Sequence, residues 1–187
     1  MAELWDLYDE YGNKTGKLHE RGTPLRAGEY HLVVHIWIVN AKGEFLITRR
    51  SPGISLGGLW QTTGGSATTG DDSLSAALRE TKEETGFDLV PANGILFNHR
   101  RDDYRPMPGG LNDTGGGWID AWLFRQEIED NEIVLQPEET CDAMWATAET
   151  IRQMFKDGTF VPPRLHPYFE DLVAYCSQTD HCKKVHE

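Results

Sequence analysis

The chain has 187 residues, enough for one domain with a packed core, and its 39% hydrophobic and 26% charged composition is that of a globular protein. A formal net charge of −12 argues against a broad nucleic-acid surface, which needs clustered Lys and Arg. No apolar run reaches the ~18 residues that span a bilayer, the acidic start MAELWDLYDE lacks a secretory-leader pattern, and the three cysteines leave at least one thiol unpaired, so a cytoplasmic protein with neither membrane nor nucleic-acid partner is expected.

In chain order, residues 3–9 alternate loosely, EYGNKTG reads as a turn and KLHER returns, which gives an N-terminal β-hairpin within residues 1–29. Exchange of that hairpin between two copies leaves a homodimer open. YHLVVHIWIVN (30–40) is the strongest strand, with Leu32, Val34, Ile36 and Ile38 on one face and His31, Val33, His35 and Trp37 on the other. NAKG turns the chain back into EFLITRR (44–50), and residues 51–65 form a Gly-rich connection with a short strand near Trp60. Residues 72–85 read as a helix capped by Asp71 or Asp72 and ended by Gly86. Two strands, 94–104 and 118–126, flank a Gly- and Pro-rich loop at 105–117, long enough to cover a binding site. A short strand at 143–147 follows, then helices at 147–158 and 165–176, the second with Pro167 in its first turn, and a tail at 177–187 expected to fray. These elements interleave without the regular alternation of a doubly wound sheet. The expected fold is α/β: a single domain over 1–176, an α/β/α sandwich with a mixed sheet, its core at 30–150 and C-terminal helices at 151–176.

The helix at 72–85 carries the chemistry. Each residue advances ~100°, so Glu83 and Glu84 fall about −60° and +40° from Glu80, and all three share one face. Arg79 stands four residues before Glu83, in reach of an ion pair. A solvated charged face is the ordinary use of such a cluster, but Glu80 and Glu84 repel at helical spacing and a glycine pair lies just upstream. Carboxylate and carbonyl oxygens are what hard divalent cations prefer, and a site with few protein ligands suits Mg²⁺ held together with phosphates.

The stretch from Gly65 to Phe87 resembles the signature box of the Nudix hydrolases, G-x5-E-x7-R-E-U-x-E-E-x-G-U, with Arg79, Glu80, Glu83, Glu84 and Gly86 in register. Two positions depart: Asp71 stands for a Glu, and Thr81 for an aliphatic residue. The resemblance implies a Nudix-like sandwich that hydrolyses a diphosphate linkage in a nucleoside diphosphate joined to a group X. It implies Mg²⁺ (or Mn²⁺) on Glu83 and Glu84, with Glu80 as ligand or base and the Gly65 carbonyl as a further ligand. Arg79 would orient Glu83, and Asp71 would act from behind the ligands. The partner is a small-molecule diphosphate.

Outside the box, LWDLYDEYGNKTGKLHERG and YHLVVHIWIVNAKGEFLITRRS are similar to the N-terminal part of isopentenyl-diphosphate isomerases, which share that fold. Aligned on Gly65, the isomerase cysteine falls on Gly64 and a metal-binding histidine on Ser66, while His31 matches another ligand position. The chain thus resembles an isomerase-like branch without the isomerase thiol, and the isomerase itself is the alternative function. A sensor of nucleotide metabolites is a second alternative. Candidate substrate contacts are Arg49 or Arg50, of which a strand points at most one inward, and Arg100, Arg101 or Arg105 beside the loop. Glu138 or Glu139, after Pro137, is a candidate for an extra ligand or base beyond the box.

Overall fold

The computed structural model describes residues 2–103, 115–129 and 132–183. The N-terminal hairpin forms from β1 (Leu4–Tyr8) and β2 (Lys14–Glu20), paired antiparallel. Asp9 builds its turn by accepting the backbone N–H of Tyr11 and of Asn13, each at 2.9 Å.

A nine-stranded mixed sheet is organised around β3 (Tyr30–Val39). β8 (Gly116–Arg125) runs parallel to it along its whole length, from Tyr30↔Gly116 to Val39↔Arg125. β3 also pairs antiparallel with β1 at Tyr8↔Tyr30, with β6 (Thr63–Ser66) over Val33 to Ile36, and with β4 (Phe45–Arg50) at Val39↔Phe45. β4 then carries β5 (Trp60–Gln61) and β9 (Thr140–Ala146), while β7 (Gly94–Asp103) pairs with β8.

The two-residue period of β3 divides the core. Leu32, Val34, Ile36 and Ile38 pack with Ala76 and Ala77 of α1 (Ser73–Thr85) on one face. Trp37 and Val39 pack on the other with Ile151 of α2 (Ala148–Asp157) and with Phe169 and Leu172 of α3 (Phe169–Lys183). Each such aliphatic or aromatic side chain contributes about 1.5–3 kcal/mol when fully buried. The α/β/α sandwich follows from that division.

α1 begins where the sequence places it. Asp72 accepts the N–H of Ser75 at 2.7 Å, Ser75 Oγ accepts the N–H of Asp72 at 2.8 Å, and Gly86 closes the helix at φ 81°. Thr81 fits a buried position because its hydroxyl donates to the Ala77 carbonyl at 2.9 Å.

Three expectations are corrected. The Gly-rich connection ends in a second strand, β6, laid on the centre of the sheet. Pro167 lies ahead of the last helix, in the link between a 3-10 turn at Pro163–Leu165 and α3. That helix also continues to Lys183, through much of the expected fraying tail. The loop at 105–117 lies outside the described residues up to position 114, and Gly116 already belongs to β8. No helix among the described residues is long and apolar enough to cross a membrane.

Candidate active site

α1 delivers Glu80 and Glu84 inward and leaves Glu83 half exposed. One oxygen each of Glu80, Glu84 and Glu139 lie within 4.8 Å of one another. Glu139 comes from the turn before β9. That turn is pinned to the end of β4 by Ser51, whose N–H donates to the Glu139 carbonyl at 2.9 Å and whose hydroxyl donates to the Pro137 carbonyl at 2.7 Å. The floor is β6: the Glu80 carboxylate lies against Gly65 so closely that a Cβ there would overlap it. Gly64 is tighter still, since a Cβ would overlap the Val34 carbonyl.

Burial pushes Glu80 up to about 7, against the opposing pull of Arg79. Glu84 is pushed well above the ordinary carboxylate range, first by burial and then by Glu80 and Glu139. The Gly64 backbone N–H acts on it, Gln61 Nε2 lies at a long 3.4 Å, and its buried Oε2 has no hydrogen-bond partner among the described residues. A buried carboxylate oxygen without a donor, in a cluster of three, fits a hard divalent cation.

Arg79 organises the other side. Its Nη1 donates to Glu80 and to Glu83, each at 2.9 Å; its Nη2 donates to Asp71 and to the Ser66 carbonyl, each at 3.0 Å. Burial works against its charge, but Glu80, Asp71 and Glu83 more than offset this, and its pKa is raised. Asp71, one methylene shorter than the residue expected there, still reaches Arg79 and also accepts from Thr68 at 3.0 Å.

A cavity of about 340 Å³ opens over the glutamates and is lined by Glu80, Glu83, Glu84, Glu139, Arg50 and Arg21, among others. Of the arginine pair, Arg50 points in and donates to Gln61 and to the Ser55 carbonyl. Arg49 points away: it donates to the Gly58 carbonyl at 2.9 Å and lies over Trp60. Arg101 lies over the Tyr30 ring and is not among the described residues lining this cavity or the next. Its neighbour Arg100 faces a second chamber of about 410 Å³, which shares Arg50, Gln61 and the Gly64–Ser66 floor with the first. His31, at the isomerase ligand position, is in that chamber too, stacked on Trp5 with ring centroids 4.0 Å apart, and burial pushes it down to about 3.

The sequence reading missed Arg21, Glu3 and Gln61. Arg21 Nη1 donates to Glu3 at 2.7 Å, and the pair forms the hairpin's wall of the acidic cavity. No local pattern marks these residues; strand pairing alone brings them there.

Residues 29–169 match the family model described as NUDIX domain. The chain is 33% identical over 164 residues to an uncharacterized Nudix hydrolase of Listeria monocytogenes, with 86% of this chain and 89% of the relative covered. It is 26% identical over 151 residues to an isopentenyl-diphosphate Delta-isomerase of Citrobacter koseri, with 79% of this chain and 78% of that one covered. A crystal structure from Deinococcus radiodurans superposes with a TM-score of 0.65 at 21% identity over 93% of this chain and 99% of that chain, a likeness of fold alone. The domain match spans β3 to α2 and all four glutamates, and the Listeria relative is similar over most of both lengths; the chain belongs to the Nudix hydrolases, enzymes that act on diphosphate linkages.

Proposed function

We propose that this hydrolase depends on Mg²⁺ or Mn²⁺ and cleaves the diphosphate linkage of a nucleoside diphosphate joined to a further group X. The observation that carries the reading is the oxygen cluster of buried Glu80 and Glu84 with half-buried Glu139, with one Glu84 oxygen left without a donor. These three residues would hold the ion, with Glu83 and the Gly65 carbonyl alongside. The bound ion supplies charge neutralisation of the diphosphate and a lowered pKa of the attacking water.

The remaining work falls to the chain's own groups. Glu80, raised to about 7, is matched to take a proton from water near neutral pH. Arg79 holds Glu80 and Glu83 in place through paired donors. Arg50 and Arg21 offer guanidinium groups to phosphate oxygens from different walls of the cavity. The isomerase reading is weaker, since the backbone at Gly64 leaves no room for even a Cβ where that family's thiol would stand. A cytoplasmic, reducing setting accords with the free thiol of Cys141.

The test is a panel of nucleoside diphosphate derivatives with Mg²⁺, Mn²⁺ or EDTA, read as phosphate released after added phosphatase. Wild-type protein is expected to turn over at least one member with metal and none with EDTA. Glu83→Gln and Glu84→Gln are each expected to lose roughly 10³-fold or more in rate, several kcal/mol of transition-state stabilisation. Metal-independent turnover, or full activity in both variants, overturns the reading.

A further inference from the structure

The second chamber holds a hydrogen-bond network that the reaction at the glutamates does not use. Tyr168 Oη lies 2.9 Å from His35 Nδ1 and 3.3 Å from His166 Nδ1, and it accepts the Trp37 indole N–H at 3.4 Å. A phenol has one proton and two acceptor sites. With one acceptor site used by Trp37, the hydroxyl donates to one imidazole and accepts N–H from the other. The two histidines therefore take opposite tautomers. One presents Nε2–H, a donor; the other presents bare Nε2, an acceptor.

Burial, followed by Arg100, pushes His35 down to about 3; burial, followed by His35 and Arg100, pushes His166 well below its ordinary value. Both rings are thus neutral at physiological pH. Their centroids are 4.6 Å apart, both line the chamber, and among the described residues neither Nε2 has a hydrogen-bond partner.

The rest of the lining narrows the ligand. Leu25, Val33, Leu56, Ile119, Val161 and Leu165 form aliphatic walls. Arg100 Nη2 lies 3.1 Å from the Leu165 carbonyl and 3.3 Å from Asp102, while its buried Nε has no hydrogen-bond partner among the described residues and is a further donor beside the chamber. The Trp5 ring stacks on His31 and also on His19, so it is not an open platform for a base.

We propose that this chamber receives group X, and that X is an aliphatic group bearing a hydroxyl, which donates to one Nε2 and accepts from the other. The proposal rests on the diphosphate-hydrolase reading, because the chamber continues from the acidic cavity across Gly64, Gly65 and Ser66. Tyr168 serves as a positioning residue: it fixes the opposite tautomers and never touches the reacting phosphorus.

The experiment uses matched probes, butyl and 4-hydroxybutyl diphosphate, each free and as its ADP ester, with full-length protein and Mg²⁺. Wild-type protein is expected to prefer the hydroxylated member by roughly 10⁴-fold in kcat/KM, as sites built to hydrogen-bond a hydroxyl do. Tyr168→Phe is expected to shrink that ratio within one preparation. Equal rates on the matched probes, or a ratio unchanged in Tyr168→Phe, overturn the proposal. Turnover of other nucleoside diphosphate derivatives but of no alkyl probe overturns it as well, while leaving the hydrolase reading in place. If no diphosphate of any kind is cleaved, the hydrolase reading falls and the chamber is judged by a second measurement. ¹⁵N correlation spectra of the histidine rings at neutral pH should show one Nδ1–H and one Nε2–H among His35 and His166. Two rings in the same tautomer, or either ring as imidazolium, would rule out the donor and acceptor pair.

Discussion

Glu84 illustrates how one side chain can be poorly suited to the fold and well suited to the site. Its folded pKa lies above its unfolded value, so the favourable protonated form prevails at low pH and is lost as pH rises through the folded value. At pH 8 without metal, burying Glu84 beside Glu80 and Glu139 costs the fold free energy whether its carboxyl ionises there or keeps its proton. Glu84→Gln should therefore be more stable than wild type at pH 8 in EDTA, with Tm rising ~2–4 °C for each kcal/mol relieved. The gap should close toward pH 4. Excess Mg²⁺ should raise the wild-type Tm and leave the variant unmoved. A variant that melts below wild type in EDTA at pH 8 would contradict this account. At this scale the box was legible: the spacing of residues 79, 80, 83 and 84 and the cap at Asp72 are local facts. The division of labour was not. That Glu84 is the orphaned carboxylate and Glu83 the half-exposed one depends on the sheet packed against α1.

At the scale of elements, β6 joins the two cavities. In sequence it reads as connection because TTGGS has no apolar alternation, and its pairing depends on missing side chains. Gly64 meets the Val34 carbonyl and Gly65 meets Glu80, both conditions of tertiary contact that no window of sequence contains. Gly64→Ala should consequently destabilise by ~1–3 kcal/mol, as overpacked sites do. Urea unfolding measures this, and an unchanged midpoint would mean that β6 is free to move. The strand β7 shows a similar limit. A register shift between Leu96 and Asn98 intervenes in its pairing with β8, and the strand turns Arg100, not Arg101, to the chamber. The alternation of β3, by contrast, was legible because both of its faces are buried and its pattern is unbroken over Leu32 to Ile38.

For the whole molecule, the three chamber histidines set an acid limit. His31 and His35 are pushed by burial to about 3, from an ordinary value of 6.5. Between those values the unfolded chain binds protons that the folded chain refuses, so stability falls as pH falls. His35 is only partly buried, which makes His31, 3% exposed, the cleaner probe. His31→Phe keeps a ring against Trp5 and removes the titration. Relative to wild type, the variant should gain ~2 kcal/mol between pH 7.5 and pH 5, at 1.36 kcal/mol per pH unit below 6.5. Denaturant midpoints at the two pH values test this, and a parallel loss in both proteins would remove His31 from the account. The matched family domain begins at residue 29, and the hairpin ahead of it supplies Arg21 to one cavity and Trp5 to the other. Descent can therefore act separately on what such an enzyme accepts and on how it reacts. A change in that leading ribbon reshapes a wall of each cavity and leaves the carboxylate helix as it is.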